Sequence, residues 1–446
     1  MKTLLLLLDG IGDRSYRVLG NLTPLQAAAT PNLDRLAALG GNGLYHASRC
    51  GQCLPSETAH YLLFGYSLSD FPGRGLLEAA GEGVPFNDED VLCLAHLAGV
   101  AWKQHTPILL YGRDHIGGSA EDIAELMKGI TPFTAGEIRI ELHQTGRNDA
   151  ILLLRGEVSP FFSDSDPITL QKPVAAVVPL HENPEYEKAS KTARVLNRYL
   201  MQCHEVLSTH PINTKIRKAG KPAGNFLVTQ RAGRRVKAVP FYERWGYRGL
   251  VIASGAVYGG IAHELHLDFC RVQDTANPGN DLRERILLAL KDDVHDFIHV
   301  HTKVPDETSH KGDPEKKRDA VSLLDAGLSD LVTAMEQNRD LLLVIMGDHS
   351  TPSDSVLIHS GEVVPLCFVG EHVRRDGIHE YNEVSCARGC LGSLKGEELM
   401  YMIVNCSERA SLLGHCIGPV QRPYAPFHYD ALQAGFDPLE PEDGRD

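Results

Sequence analysis

Apolar and polar positions follow two different rhythms along this chain. At residues 4–8 five consecutive leucines run straight into Asp9-Gly10, the pattern of a strand buried on both faces with a carboxylate at its C-terminal tip. Three further runs have the same form. Residues 249–253 end in Ser254-Gly255, residues 297–304 run into Pro305-Asp306, and residues 341–346 run into Gly347-Asp348-His349. Stretches with helical spacing lie between them, at 30–39, 282–290 and 320–335. Strands alternating with helices predict an α/β fold, a mostly parallel sheet flanked by helices. Ligands of such sheets gather beyond the carboxyl ends of the strands.

The middle of the chain keeps the other rhythm. Short β-rich runs at 138–143, 150–155, 174–179, 226–230 and 236–239 are separated by turn signals such as Gly146, Pro160, Asp166-Pro167 and Gly220-Lys221-Pro222. They predict a smaller β-rich α+β cap domain, residues 98–238, inserted into a core made of residues 1–97 and 239–446. The tail beyond Pro419, rich in Pro, Asp and Glu, is expected to lie over the surface.

Composition narrows the function more than the fold. With 43% hydrophobic and 23% charged residues in 446, the chain has a globular composition and not that of a disordered one. Its 44 Lys and Arg against 58 Asp and Glu give a formal charge of −14. Nucleic acid and anionic membrane surfaces both require a basic face, so the expected partner is a small molecule. An anionic ligand would need local metals or a few placed arginines to overcome the global field. The leucine run stops at Asp9, short of a secretory h-region, and no apolar stretch reaches the ~18–20 residues of a membrane span. The ten cysteines are scattered; only Cys50 with Cys53 and Cys386 with Cys390 are closely spaced, and neither pair belongs to a full zinc-finger pattern. Reduced thiols in a cytoplasmic protein are the expectation.

The chemistry gathers at the strand ends. Asp9, Asp306, His310, Asp348, His349 and His359 together offer enough oxygen and nitrogen donors for two divalent cations of the Mn²⁺ or Zn²⁺ kind. The mixed set speaks against calcium, which takes oxygen alone. Ser56 stands where a helix begins, in Leu54-Pro55-Ser56-Glu57-Thr58. It reads either as an N-cap or as a nucleophile, because a serine beside a metal at a helix N-terminus is well placed to attack phosphorus.

These residues carry a resemblance. Leu8-Asp9-Gly10-Ile11-Gly12-Asp13-Arg14, Thr23-Pro24-Leu25-Gln26-Ala27-Ala28, Thr30-Pro31-Asn32-Leu33-Asp34, residues 56–66, Gly73-Arg74-Gly75, Ser163-Asp164-Ser165-Asp166-Pro167, Glu243-Arg244-Trp245-Gly246, residues 306–310, Gly347-Asp348-His349-Ser350-Thr351-Pro352 and His359-Ser360-Gly361 follow in the order of one family. The chain resembles the archaeal-type cofactor-independent phosphoglycerate mutases, metalloenzymes of the alkaline-phosphatase-like superfamily. The resemblance implies an alkaline-phosphatase-like core and two divalent metal ions, Mn²⁺ or Zn²⁺ first and Mg²⁺ or Co²⁺ as alternatives. No 2,3-bisphosphoglycerate would be needed. One ion would be held by Asp9, Ser56, Asp348 and His349, the other by Asp306, His310 and His359. Ser56 would be the nucleophile that becomes a phosphoserine, and His60, Arg74, Arg113, Asp164, Arg231 and Arg244 would contact substrate.

Departures from the family pattern complicate the substrate. The segment Tyr111-Gly112-Arg113-Asp114-His115-Ile116-Gly117-Gly118 replaces an arginine-rich one, Asp149 stands for an arginine, Gly259 for a lysine, and Gln230-Arg231-Ala232-Gly233 for Arg-Gly-Ala-Gly. A phosphoglycerate carries about three negative charges and needs several fixed donors. The departures therefore predict weak or absent mutase activity beside the alternative, a divergent phosphotransferase or phosphohydrolase acting on another small metabolite, for example in a homoserine-kinase-like reaction.

Overall fold

The computed structural model of the chain describes residues 1–426, 428–429 and 431–432. In chain order its strands are β1 (Lys2–Leu8), β2 (Gly41–His46), β3 (Val91–Lys103), β4 (Thr106–Tyr111), β5 (Phe133–Ala135), β6 (Ile138–Gln144), β7 (Asp149–Arg155), β8 (Phe226–Gly233), β9 (Gly249–Ala253), β10 (Asp268–Arg271), β11 (Phe297–Thr302), β12 (Leu341–Met346), β13 (Val364–Val369) and β14 (Gly392–Lys395). They form two sheets.

The larger sheet has the order β10-β9-β11-β1-β12-β13-β2-β14. Its first five strands are mutually parallel, and β13 runs antiparallel to both its neighbours. The leucine run explains itself here. Leu5 and Leu7 pack with Phe64, Trp245, Val344 and Met346 on one face of β1, whereas Leu4, Leu6 and Leu8 pack with Leu33, Ile286 and Val321 on the other. Helices cover both faces, so positions 4–8 of the strand are all buried and apolar. Since β11 and β12 flank β1 in parallel register, Asp9, Asp306 and Asp348 emerge at one edge.

The second sheet is antiparallel, in the order β4-β3-β7-β6-β5, with β8 along the other side of β3. Helices Tyr186–Thr209 and Ala120–Lys128 cover one face through Leu196, Leu200, Ile123 and Leu126. On the opposite face Leu92, Ile151 and Leu153 meet Leu76 and Ala79 of helix Arg74–Gly81. That helix is a wedge between the two sheets. A Cβ on Gly75 would fall 2.5 Å from the Leu92 carbonyl, and one on Gly260, in helix Ala256–Glu264, would fall 1.8 Å from that of Leu77. Only glycine permits both approaches.

The α/β core and the separate β-rich sheet are as expected; several limits are not. A cap beginning at residue 98 would cut β3, which is continuous from Val91 and buried as far as Val100. Residues 174–179 and 236–239 form no strand: Pro173 before and Pro179 at the end of the first, and Pro240 after the second, offer no ladder amide. Residues 320–335 divide into helices Pro314–Ala326 and Ser329–Gln337, parted at Gly327. Of the tail, Tyr424 is buried, its hydroxyl donating to the Tyr242 and Glu243 carbonyls, while residues 433–446 lie outside the described residues. All ten cysteines are free thiols. Among the described residues no helix is long and apolar enough to cross a membrane.

Candidate active site

Three carboxylates, buried almost completely, converge where β1, β11 and β12 end: Asp9, Asp306 and Asp348. The chain segments that carry them are stitched together. The Asp306 amide donates to the Asp9 carbonyl at 3.0 Å, and the Gly10 amide donates to Asp348 Oδ1 at 3.1 Å. Below them the buried ammonium of Lys317 donates to the carbonyls of Gly10, Gly12 and Thr351 at 2.8–3.0 Å and pairs with Asp13 at 3.1 Å. One lysine thus binds the loop after β1 to the loop after β12.

Around the carboxylates stand the expected histidines. His349 Nε2 is 3.4 Å from Asp9 and 3.3 Å from Asp348; His310 and His359 each bring Nε2 to 3.3 Å from Asp306. Two donor groups result, Asp306 with His310 and His359, and Asp9 with Asp306 and His349, the atoms of each lying within 4.8 Å of one another. The first is the set expected from sequence. In the second, Asp306 joins Asp9 and His349, and Asp348 stands beside the group with one oxygen taken by amides and the other, Oδ2, buried without a hydrogen-bond partner. Three crowded carboxylates, an orphaned oxygen and three imidazoles fit divalent cations.

Electrostatics agree. Burial pushes the Asp9 and Asp306 carboxyls up, but neighbouring cations and histidines win and hold both well below the usual carboxylate range: Lys303 leads for Asp9, and the bonds from His310 and His359 lead for Asp306. Asp348, with burial and the Asp9 charge acting together, is raised instead. Burial lowers His349 to about 3, leaving a neutral ring with a lone pair to give. His359 Nδ1 donates to the Leu54 carbonyl at 2.7 Å, which fixes the ring and leaves Nε2 as the atom facing Asp306.

Ser56 opens helix Ser56–Leu63, with Pro55 in the capping position and no side-chain cap. It is therefore not the N-cap. Its hydroxyl lies 3.0 Å from His349 Nε2 and 3.4 Å from Asp9 Oδ1, inside the donor cluster.

The six residues expected to meet substrate separate. Arg74, Arg113 and Arg231 line one cavity of about 380 Å³ together with His96, Asp166 and Ile358, the residue before His359. Each arginine is already paired. Arg74 and Arg231 hold the buried Glu57 carboxylate at 3.3 and 2.9 Å, and Arg113 meets Asp149 at 3.0 Å. The other three do not line it. His60, 1% exposed, sits behind Ser56, donating from Nδ1 to the Ser56 carbonyl at 2.7 Å. Asp164 is occupied by the Arg231 amide at 2.7 Å. Arg244 lies over the Tyr66 ring in a different pocket with Glu397.

Sequence reasoning missed four residues around Asp9. Tyr258 donates to Asp9 Oδ2 at 2.8 Å, His301 Nε2 lies 3.1 Å from the same oxygen, and Lys303 Nζ reaches it at 3.5 Å. His299 completes a buried ring cluster with His60, His301 and Phe64. The available signal was the alternation His299-Val300-His301 in β11, which places both imidazoles on one face. The Gly259 departure also takes a new meaning: a Cβ there would fall 2.9 Å from the Phe269 ring, so a lysine at this position would meet Phe269 first.

Residues 1–406 match the model of the Metalloenzyme superfamily, the class that fold and donor set define. Among curated proteins, the chain is 39% identical over 96% of its length, and 98% of the relative's, to the 2,3-bisphosphoglycerate-independent phosphoglycerate mutase 2 of Methanocaldococcus jannaschii, and 33% identical over 93% and 98% to the corresponding mutase of Methanopyrus kandleri. A solved structure of a Pyrococcus horikoshii protein superposes with a TM-score of 0.75 at 27% identity over 93% of this chain and 99% of that one. A cofactor-independent phosphoglycerate mutase from Thermoplasma acidophilum gives 0.60 at 27% over 91% and 100%. The chain belongs to the archaeal 2,3-bisphosphoglycerate-independent phosphoglycerate mutase family.

Proposed function

We propose that this protein is a metal-dependent phosphoglycerate mutase that interconverts 2- and 3-phosphoglycerate through a phosphorylated Ser56, without added 2,3-bisphosphoglycerate. The observation that carries the reading is the Ser56 hydroxyl at 3.0 Å from His349 and 3.4 Å from Asp9, within a donor cluster at the strand ends. Asp306, His310 and His359 would hold one divalent ion, and Asp9, His349, Asp348 and Ser56 the other, with Asp306 between them. Such ions supply positive charge at the phosphoryl oxygens and at the serine oxygen.

The chain's own residues do the rest. His60, donating to the Ser56 carbonyl, fixes the first turn of the nucleophile's helix. Tyr258 and His301 hold the Asp9 carboxylate by its other oxygen, leaving Oδ1 toward Ser56. Arg74 and Arg231, gathered by Glu57 beside Ser56, present guanidinium groups to the cavity in which the glycerate would turn between donation and return of the phosphoryl group. The unit built on the second sheet acts as the cap that keeps water from the phosphoserine. Ten free cysteines suit work in the reducing cytoplasm.

One observation favours a second reading, phosphoryl transfer to or from a different small metabolite. Every arginine of the cavity is matched by a carboxylate, and Asp114 and Asp166 also line it, a less cationic surface than a phosphoglycerate prefers. Phosphorus NMR of 3-phosphoglycerate with the Mn²⁺-loaded protein separates the two. The mutase reading expects 2-phosphoglycerate and no phosphate release. Free phosphate, or no reaction while another phosphorylated metabolite turns over, would sink it.

A further inference from the structure

We propose that Lys303 is a phosphoryl-binding residue of this site, its ammonium released from two carboxylates to meet a phosphoryl oxygen between the two donor groups. The inference rests on the metal-assisted reading above.

Lys303 follows β11 directly, and its Nζ lies 3.5 Å from Asp9 Oδ2 and 3.3 Å from Asp306 Oδ2. Among the described residues, no other lysine or arginine is within ion-pair distance of Asp9, Asp306 or Asp348. Its side chain remains 33% exposed while both carboxylates are buried, so it enters from the open side of the site. The like charge that opposes it is Arg74, which lines the cavity. The ammonium thus meets both carboxylates from their exposed side.

Competition and charge give it a role. The oxygens that hold Lys303 belong to residues that would ligate metal, and a divalent ion outcompetes a single ammonium for carboxylates. Arg74, Arg113 and Arg231 pair with Glu57, Glu78 and Asp149, none of which belongs to the donor groups, so filling those groups takes no partner from them. Lys303 alone among these cations loses its partners when the donor groups fill. Three carboxylates, two divalent ions and one ammonium leave a surplus of two positive charges, the complement of a phosphoryl dianion. Without the lysine only one remains. An ammonium serves phosphate as a point charge with three rotatable donors.

The test uses Lys303→Met, which keeps the stem and removes the charge, and Lys303→Arg. Mn²⁺ binding is titrated calorimetrically for each protein, followed by inorganic phosphate binding to the Mn²⁺-loaded protein; thermal unfolding reports the fold, and Lys303→Gln replaces a Met variant that does not fold. The expectation is Mn²⁺ affinity equal to or above wild type in Lys303→Met. Phosphate affinity should fall about ten- to hundredfold, the size of one lost charge-assisted bond, with partial recovery in Lys303→Arg. Phosphate affinity within about twofold of wild type overturns the proposal, as does loss of Mn²⁺ binding in the variants, which would make the lysine an organiser of the donors. If wild type itself binds neither Mn²⁺ nor phosphate, the metal-assisted reading fails and takes the proposal with it.

Discussion

An ion pair between Glu57 and Arg231 ties the helix that begins at Ser56 to the second sheet. The carboxylate lies in the helix that begins at Ser56, the guanidinium projects from β8, and they meet at 2.9 Å with the carboxylate buried. Arg74 holds the other oxygen of the same carboxylate at 3.3 Å. Removing one partner of a fully buried pair costs about 3–5 kcal/mol, but both arginines are about a third exposed and can turn to water. Glu57→Gln should therefore lower unfolding free energy in urea by only about 1–2 kcal/mol. Its larger effect should be on KM, raised about tenfold as the two guanidiniums lose their common anchor. An unchanged KM would mean that neither arginine touches substrate.

Ser56→Ala should leave the fold almost untouched. The residue caps nothing, so the expected loss is that of its buried hydroxyl's hydrogen bonds, about 1 kcal/mol. Turnover should drop by at least about 10³-fold, and intact-mass spectrometry of substrate-quenched protein should show a phosphoryl adduct in wild type and none in the variant. Wild-type turnover by a metal-replete variant would remove Ser56 from the chemistry.

Chelation should abolish turnover and Mn²⁺ should restore it. Because Asp9, Asp306 and Asp348 crowd one another, filling the site should also stabilise the fold, by about 2.7 kcal/mol at a hundredfold excess of free ion over Kd, read as an upward shift of Tm. His359→Ala should weaken Mn²⁺ binding at least about tenfold while leaving the Tm of the chelated protein near wild type. A Tm indifferent to Mn²⁺ would contradict the donor assignment.

The surface away from the site carries a pH-dependent element. Burial acts to lower the His295 pKa, yet Asp268 at 2.8 Å and Asp292 at 2.9 Å overcome it and raise it above its ordinary value of 6.5. A raised folded pKa contributes stability that is complete below the unfolded pKa and fades as pH rises through the folded one. His295→Gln should thus cost up to about 1 kcal/mol near pH 5.5 and almost nothing near pH 9. A difference that grows with pH would reverse the assignment.

What could be read in advance was set by how far each signal lies from ordinary solvation. Five leucines ending in an aspartate cannot sit on a surface, so β1, its two parallel neighbours and the carboxylates at their tips were legible. Ser56 was legible as a position, but its departure from capping depended on Pro55 taking that place. Lys303 and Glu57 were silent, because a lysine and a glutamate are ordinarily solvated and only the packing of distant segments turned them inward. His60 and Arg244 stand apart from the cavity of Arg74, Arg113 and Arg231 for the opposite reason. Their types suit a substrate, yet one backs the helix that begins at Ser56 and the other lies over Tyr66. Residues 174–179 had strand-like composition and lacked an amide at their flanks.

The pairing of β1 sets a timetable for synthesis. Its hydrogen-bonded neighbours are residues 297–302 and 341–346, so β1 has no native partner until about 290 further residues have left the ribosome. Through that interval the leucines of residues 4–8 are a naked β-forming segment of the kind that aggregates or recruits a chaperone. The second sheet, whose strands lie between Val91 and Gly233, can pair meanwhile. The donor edge thus cannot assemble before residues 341–359 are made, and a nascent chain cannot bind metal productively until then.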